Sequence, residues 1–193
     1  MTIHHPTALP GRLIVIVGPS GAGKDSLMEF ARRHYAADPA FGVVQRLITR
    51  PKEAGGENHR SVTLAEFDEI KREGLLAVDW QAHGLSYGIP DSSRLDLARG
   101  MTLIVNGSRG ALDLFRSAYG SIDCVLVTAR PDVLAERLAA RGRESRQDIA
   151  ARLSRQIDVD DGHYNLVIDN SGGLEDAGAR LVSYLDMVRA GPT

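Results

Sequence analysis

The chain has 193 residues, of which 43% are hydrophobic and 25% are charged, and its formal net charge at pH 7 is −2. These values are those of an ordinary globular protein, long enough for one well-cored domain. Because proteins that bind nucleic acid or an anionic membrane usually present a basic face, the charge gives no reason to expect either partner.

The first eleven residues contain two prolines and no long apolar stretch. We expect residues 1–11 to form a flexible lead-in that is neither a signal peptide nor a membrane anchor, and residues 12–193 to form a single domain. The one cysteine, Cys124, lies in the apolar run 122–127 and has no partner for an internal disulfide. A lone core thiol is typical of a protein of the reducing cytoplasm.

A glycine-rich octapeptide, Gly18 to Asp25, directly follows the apolar run 12–17 and opens an amphipathic stretch. Its spacing is that of a P-loop, in which glycines let backbone N–H groups converge on phosphate oxygens and a lysine reaches the outer phosphates. The N-terminus of the following helix adds a partial positive charge. The pattern predicts that a nucleoside triphosphate is bound by Gly18, Pro19, Ser20, Gly21, Ala22, Gly23, Lys24, Asp25 and Ser26.

Apolar runs then alternate with amphipathic stretches along the whole chain. Strands are predicted at 12–17, 43–48, 75–80, 101–106, 122–128 and 165–169. Helices are predicted at 24–36, 64–73, 91–99, 108–118, 131–140, 145–159 and 174–189, with Asp91, Ser108, Pro131 and Ser145 as caps or first-turn residues. This alternation predicts a three-layer α/β fold, in which helices flank a mostly parallel sheet and ligands bind at the carboxyl ends of the strands.

The polar stretch 50–62 indicates a functional loop that leads into a small substrate-binding insert at about residues 50–90. Arg50 is the candidate phosphate fork, because a guanidinium offers paired donors that match phosphate oxygens. Glu57, Asn58 and His59 are candidates for binding the polar groups of an acceptor. The alternative, a solvated charged loop without a ligand, is equally compatible with the composition.

The strand predicted at 101–106 ends in Asn106, where many P-loop enzymes carry an aspartate that helps to hold Mg²⁺. Asparagine brings no charge to such a site. Asp25, in turn, occupies the place where a serine or threonine hydroxyl normally touches the metal ion. We hypothesise that the carboxylate of Asp25 restores the missing charge and is the metal ligand.

Positive charge is concentrated between residues 130 and 155, where seven arginines face four acids. Two helices joined by a short bend that contains Gly142 would form a lid at about residues 137–155 that closes over a triphosphate and stabilises the transferring group. The alternative is a salt-bridged surface helix pair. The sequence offers no catalytic triad, which suits a phosphate acceptor, because its second pKa of roughly 6 leaves it largely ionised without a general base.

These motifs together resemble the guanylate kinase-like P-loop kinases and, more closely, the ribose 1,5-bisphosphate phosphokinases of phosphonate breakdown. The second resemblance is carried by Gly-Lys-Asp-Ser at 23–26, Ile-Thr-Arg at 48–50, Glu-Asn-His at 57–59, Val-Asn-Gly-Ser-Arg at 105–109 and Arg-Gly-Arg-Glu at 141–144. It implies an enzyme that moves the γ-phosphoryl group of ATP, with Mg²⁺, onto the 1-phosphate of ribose 1,5-bisphosphate. It also implies an acceptor site of Arg50, Glu57, Asn58, His59, Tyr87, Asn106 and Arg109, with catalysis by Lys24, Arg137, Arg141, Arg143 and Arg152.

Two alternatives stay open at this point. A GMP kinase is disfavoured because the base-binding residues of guanylate kinases, a tyrosine and a glutamate, are replaced near His59 and near the apolar pair Ala77-Val78. A guanine edge would therefore lose its partners. A non-catalytic interaction module is disfavoured by Lys24 and the arginine-rich segment. The expected partners are small molecules, and the sequence is compatible with a homodimer without fixing the oligomeric state.

Overall fold

The computed structural model describes residues 9–51, 58–140 and 164–191. In chain order its elements are β1 (Arg12–Val17), α1 (Lys24–His34), β2 (Phe41–Val43), β3 (Leu47–Ile48), β4 (Arg60–Ser61), α2 (Leu64–Arg72), β5 (Leu76–Ala82), β6 (Leu85–Pro90), α3 (Ser92–Ala98), β7 (Thr102–Asn106), α4 (Leu112–Tyr119), β8 (Asp123–Thr128), α5 (Pro131–Ala140), β9 (Leu166–Asp169) and α6 (Leu174–Ala190). A short 3₁₀ helix, Arg109–Ala111, precedes α4.

The contacts of the chain divide it into two compact units. The first unit runs up to Val15 and then from Tyr35 to Asp123, and the second runs from Ile16 to His34 and continues from Cys124 onward. The single domain expected for residues 12–193 stays a prediction.

The larger sheet is parallel and has the strand order β2-β7-β1-β8-β9. Its three middle strands are apolar at their centres, as strands covered on both faces require, and Leu13 to Val17 of β1 are buried. The predicted α/β fold with a parallel sheet and flanking helices is confirmed. The predicted strand 43–48 is wrong in its extent, because the chain leaves β2 after Val43 and enters β3, in another sheet, at Leu47.

A second sheet lies in the first unit, with the order β4-β3-β6-β5. Strands β5 and β6 form an antiparallel hairpin in which Trp80 is paired with Tyr87, and β3 is antiparallel to β6. The strand predicted at 75–80 exists but belongs to this mixed sheet, which corrects its assignment to the parallel alternation. A small core of Leu47, Val62 and Phe67 packs between this sheet and α2.

The helices differ in how their N-termini are capped. Helix α2 has a capping box, in which Thr63 accepts a hydrogen bond from the Glu66 backbone and the Glu66 carboxylate accepts one from the Thr63 N–H. Asp91 and Ser108 occupy N-cap positions but make no capping hydrogen bond, and Pro131 begins α5 as predicted. The helix predicted at 145–159, with Ser145, lies outside the described residues. No helix in the described ranges is long and apolar enough to cross a membrane.

Candidate active site

The loop after β1 has the backbone conformation that only its glycines permit. Gly18, Gly21 and Gly23 have φ values of 145°, 87° and 89°, in the region that disfavours L side chains. A Cβ atom at Gly18 would collide with the carbonyl oxygen of Val127, so β8 approaches the loop too closely for any other residue. The predicted P-loop therefore has both the turn and the close packing that its glycines imply.

Lys24, the first residue of α1, folds back over this loop. Its Nζ atom donates hydrogen bonds to the carbonyl oxygens of Gly18 at 2.8 Å and of Pro19 at 3.0 Å. These bonds hold the ammonium group at the loop before any ligand arrives, and a positive charge held in advance costs little reorganisation when it meets phosphate.

Two further side chains of the second unit support the loop. Asn170, at the end of β9, donates from Nδ2 to the Ala22 carbonyl oxygen at 2.7 Å, and it is only 3% exposed. A Cβ atom at Gly23 would collide with this same amide nitrogen. Arg137 of α5 donates from Nη1 to the Gly21 carbonyl oxygen at 3.4 Å. The structure thus brings the predicted Arg137 to the loop, together with Asn170, which the sequence analysis missed.

The turn from β9 to α6 fixes the position of Asn170. The backbone N–H of Asn170 donates to the Thr128 carbonyl oxygen at 2.8 Å, and Ser171 Oγ accepts from the Arg130 N–H at 2.7 Å. Ser171 also donates from its hydroxyl and from its backbone N–H to the Asp169 carboxylate. These bonds, chiefly the one from the hydroxyl, lower the pKa of Asp169 from its ordinary value.

In the first unit, Arg50 and His59, two of the predicted acceptor residues, lie in contact. Nη2 of Arg50 is 3.4 Å from Nδ1 of His59, and Nε2 of His59 is 3.3 Å from the Arg50 carbonyl oxygen. A guanidinium only donates, so this arrangement needs the tautomer with hydrogen on Nε2. Ser61 Oγ donates to the same carbonyl at 2.6 Å. A cleft of about 720 Å³ borders this region, with Thr49 and Ser61 among its lining residues.

One donor of Arg50 stands out in this cluster. Its Nε atom is buried and has no hydrogen-bond partner among the residues that the structure describes. A buried donor without a partner costs on the order of 1–3 kcal/mol, and it marks a position where an added acceptor would be stabilising. Arg50 therefore stays the predicted phosphate fork of this cluster.

The other predicted acceptor residues occupy the same unit. Asn58 accepts a hydrogen bond from the Gln45 side chain at 3.0 Å, and Tyr87 stacks on Trp80 with ring centroids 5.2 Å apart. Asn106 is buried at the carboxyl end of β7, and Arg109 opens the 3₁₀ turn directly after it. Strand ends of this kind are where an α/β sheet places its ligands.

The remaining predicted residues lie outside the described structure. They are Glu57 of the acceptor loop and Arg141, Arg143 and Arg152 of the lid. The arginine-rich lid therefore stays a prediction, as does the role of each site residue.

Among the described residues, no cluster of three or more histidine, cysteine or acidic side chains could hold a metal ion by itself. Mg²⁺ is usually bound through one or two carboxylates together with substrate phosphates. Asp25 supplies such a carboxylate in the first turn of α1, directly after Lys24. The residues present therefore fit a magnesium ion that arrives with the nucleotide.

Comparisons with known proteins identify relatives over most of the chain. A ribose 1,5-bisphosphate phosphokinase PhnN from Agrobacterium fabrum is 49% identical over 174 residues, which cover 90% of this chain and 95% of the relative. Another from Rhizobium etli is 45% identical over 177 residues, which cover 91% of this chain and 90% of the relative. The AAA domain family matches residues 14–160.

Among solved structures, guanylate kinase from Anaplasma phagocytophilum has a TM-score of 0.65 and 16% identity, covering 93% of this chain and 86% of its own. This likeness concerns the fold alone. The parallel sheet and the glycine-rich loop after its first strand define the class, a P-loop kinase of guanylate kinase-like fold. The chain belongs to the family of the ribose 1,5-bisphosphate phosphokinases, and its residues 14–160 belong to the AAA domain family. The resemblance inferred from the motifs is confirmed.

Proposed function

We propose that this protein transfers the γ-phosphoryl group of ATP to the 1-phosphate of ribose 1,5-bisphosphate, giving 5-phosphoribosyl 1-diphosphate and ADP in phosphonate breakdown. The observation that carries the proposal is its membership in the family, over nine tenths of the chain. The geometry of the loop at Gly18, Gly21 and Gly23, with Lys24 held over it, supports ATP as the co-substrate.

The reaction breaks the bond between the γ-phosphorus and the oxygen that bridges to the β-phosphate. A new bond joins the γ-phosphorus to an oxygen of the acceptor's 1-phosphate, and the electron pair of the broken bond stays on ADP. Because the acceptor oxygen is already ionised at neutral pH, no side chain has to remove a proton from it. Positioning and charge neutralisation then supply most of the catalysis.

The donor half of the reaction belongs to the second unit. The backbone N–H groups of Gly18 to Ser26 would hold the phosphates, Lys24 would bridge the outer two, and Arg137 would reach the transferring group. Arg141, Arg143 and Arg152 would join them as the lid. Cationic donors of this kind stabilise the charge that spreads over the equatorial oxygens in the transition state.

The acceptor half belongs to the first unit. The unpartnered Nε of Arg50 supports a role in binding one phosphate of the sugar. Glu57, Asn58, His59 and Tyr87 would contact the ribose or its phosphates, and so would Asn106 and Arg109. The fixed ring of His59 beside Arg50 keeps the guanidinium in place for a bidentate contact.

We propose Asp25 as the protein ligand of Mg²⁺, which neutralises phosphate charge when it is bound. Substituting Asp25→Ser should raise the Mg²⁺ concentration needed for half-maximal activity and lower kcat. Asp113→Ser is the matched control, because Asp113 also lies in the first turn of a helix but is exposed. An unchanged Mg²⁺ dependence and an unchanged kcat in Asp25→Ser would remove the basis for this role.

The function itself is tested by measuring ADP release with each acceptor offered separately. Ribose 1,5-bisphosphate should support turnover, and GMP should support little. The resemblance to guanylate kinases leads one to expect a base-binding glutamate near residues 77–78, and this chain has the buried apolar Val78 there. Turnover with GMP alone would replace the proposal with the GMP kinase alternative. Failure to bind ATP at millimolar concentration would instead favour an interaction module.

We further propose a cytoplasmic location and small-molecule partners only, without nucleic acid or membrane. Cys124, the one cysteine of the chain, is a buried thiol that forms no disulfide, which suits a reducing compartment. A homodimer, which the sequence allows, would have twice the 20.9 kDa mass of the chain when measured in solution.

A further inference from the structure

We propose that Arg46 is a second phosphate-binding residue of the acceptor site, and that it holds the phosphate of the sugar that Arg50 does not. This inference rests on the proposed function, because it concerns an acceptor that carries two phosphates. Arg46 belongs to none of the sequence motifs described above. Its burial and its contacts with two aromatic rings are what point to a role.

Arg46 is an arginine buried in the first unit, with 7% of its surface exposed. The central carbon of its guanidinium lies 5.2 Å from the ring centroid of Tyr87 and 5.7 Å from that of Trp80. The two rings are nearly parallel, with 6° between their planes. Aromatic faces attract a cation and hold the plane of a guanidinium, so the side chain is fixed rather than free to rotate.

The guanidinium of Arg46 lies on the face of the second sheet that carries Ile48, Tyr87 and Trp80. Ile48 is paired with Tyr87 in the register of β3 and β6, and Tyr87 is paired with Trp80 in β5. The Arg46 guanidinium lies against both of these rings, so it shares their face. Arg46 directly precedes β3, and Arg50 follows the end of β3 by two residues, in a bend beside His59. The two arginines thus lie at opposite ends of this short strand.

Backbone contacts connect Arg46 to the acceptor loop itself. The Arg46 carbonyl oxygen accepts a hydrogen bond from the Arg60 N–H at 2.8 Å, and the neighbouring Gln45 side chain donates to Asn58 at 3.0 Å. The segment that carries Arg46 is therefore fixed to both sides of His59. A ligand bound by Arg50 and His59 would lie beside this segment.

The chemistry of the acceptor calls for a second cationic group. Ribose 1,5-bisphosphate carries an anionic phosphate at each end, and one guanidinium fork matches one phosphate in a bidentate contact. A second fork in the acceptor site would favour the doubly phosphorylated sugar over sugars with one phosphate, because each phosphate would gain its own charge-assisted bidentate contact. Lysine cannot replace this group, since it lacks the planar fork and stacks less well.

The test is a comparison of Arg46→Met, Arg46→Lys and wild type in the ADP-release assay. Arg46→Met keeps much of the apolar bulk but removes the charge, and it should raise KM for ribose 1,5-bisphosphate tenfold or more while KM for ATP stays within twofold. Arg46→Lys, which keeps the charge in case the first variant folds poorly, should raise the same KM three- to tenfold. A role confined to packing would lower the melting temperature without this selective rise in KM.

Two sugars with one phosphate separate the arginines. Ribose 1-phosphate and ribose 5-phosphate serve as competitive inhibitors against ribose 1,5-bisphosphate. Arg46→Met should raise the inhibition constant of one of these sugars at least tenfold and change that of the other by less than twofold. Arg50→Met should show the reverse. The inference would be overturned if Arg46→Met raised the two inhibition constants equally, or if it left KM for the bisphosphate unchanged.

Arg94→Met is the matched control. Arg94 lies in the same unit, with its guanidinium carbon 5.8 Å from the ring centroid of Tyr119 and an ion pair to Asp91 at 3.1 Å. Its substitution should leave both KM values unchanged. Failure of the proposed function would appear as a wild type that does not use the bisphosphate. Failure of this inference alone would leave the wild type active and Arg46→Met kinetically unchanged.

Discussion

At the scale of single residues, the phosphate loop depends on a buried amide that no P-loop motif contains. Asn170 lies 148 positions after Ala22 in the chain, yet its Nδ2 atom donates to the Ala22 carbonyl oxygen. Its Oδ1 atom is buried and meets no hydrogen-bond partner within the described ranges 9–51, 58–140 and 164–191. A half-satisfied buried amide is a strained arrangement, and such arrangements persist where they hold a functional backbone in place.

Substituting Asn170→Ala should therefore raise KM for ATP about tenfold, equivalent to about 1.4 kcal/mol, and leave KM for the acceptor unchanged. The loop carbonyl at Ala22 would lose its donor, and the amides beside it would lose their fixed direction. Steady-state kinetics with each substrate varied in turn measure this. The control is Asn165→Ala, because Asn165 also contacts backbone, accepting from the Cys124 N–H at 2.8 Å, but does not touch the loop. Equal changes in both KM values would contradict a role specific to the loop.

Gly23 allows a second test of the same contact. Its φ of 89° disfavours a side chain, and a Cβ atom there would displace the Asn170 amide. Gly23→Ala should lower ATP affinity more than tenfold, measured by calorimetry. Gly172→Ala is the matched control, because a Cβ atom at Gly172 meets nothing within 4 Å. Wild-type affinity in Gly23→Ala would show that the loop tolerates the side chain.

At the scale of elements, helix α2 illustrates how a local signal sets a boundary. Thr63 and Glu66 form a reciprocal capping box, with Thr63 Oγ1 accepting from the Glu66 N–H at 3.2 Å. Thr63→Ala should lower the free energy of unfolding by about 1 kcal/mol, measured by urea titration. Thr63→Ser keeps the cap and should stay close to wild type. A loss as large in Thr63→Ser as in Thr63→Ala would assign the effect to the methyl group instead.

The turn from β9 to α6 predicts a dependence of stability on pH. Hydrogen bonds from Ser171 lower the pKa of Asp169 from its ordinary value of 3.8. A carboxyl whose folded pKa is lowered stabilises the fold above its unfolded pKa, and this contribution is lost as the pH falls through the folded value. Asp169→Asn should therefore lower the melting temperature modestly at pH 7, with a difference from wild type that shrinks below about pH 4. A difference independent of pH would contradict this cause.

The elements also show which parts of the fold a sequence can predict. The glycine-rich loop is a local motif between a strand and a helix, so Gly18 to Lys24 were recognisable without tertiary information. In the hairpin of β5 and β6, the sequence analysis predicted the first strand and did not predict the second. Its two-residue turn, His83-Gly84, has positive φ values of 52° and 72°, and the alternation of Leu85, Tyr87 and Ile89 was the available signal for β6. Asn170 and Arg46 were unpredictable in principle, because only packing between distant segments gives them a role.

At the scale of the whole molecule, the residues proposed for the donor site and those proposed for the acceptor site lie in different compact units. The second unit contains the phosphate loop, Lys24 and Asn170, and the first contains Arg46, Arg50 and His59. The chain is slightly acidic overall, with a net charge of −2, so binding of anions depends on these local cationic groups and not on a general basic surface.

This division predicts that each substrate stabilises amides of its own unit. A ligand that binds the native state slows the openings that expose backbone N–H groups at its site, and hydrogen exchange detects this residue by residue. An ATP analogue that cannot transfer its γ-phosphate should protect residues 18–26 and the turn at Asn170. Ribose 1,5-bisphosphate alone should protect residues 46–50, 58–61 and 80–87.

Variants make the same experiment specific. Lys24→Met should abolish most of the protection by the nucleotide analogue and leave protection by the sugar unchanged, while Arg46→Met should do the reverse. Arg94→Met should alter neither pattern. Protection of residues 46–50 by the nucleotide analogue alone, with none from the sugar, would contradict the assignment of donor and acceptor to separate units. Since exchange reports binding without turnover, this result would stand independently of the rate at which the phosphoryl group moves.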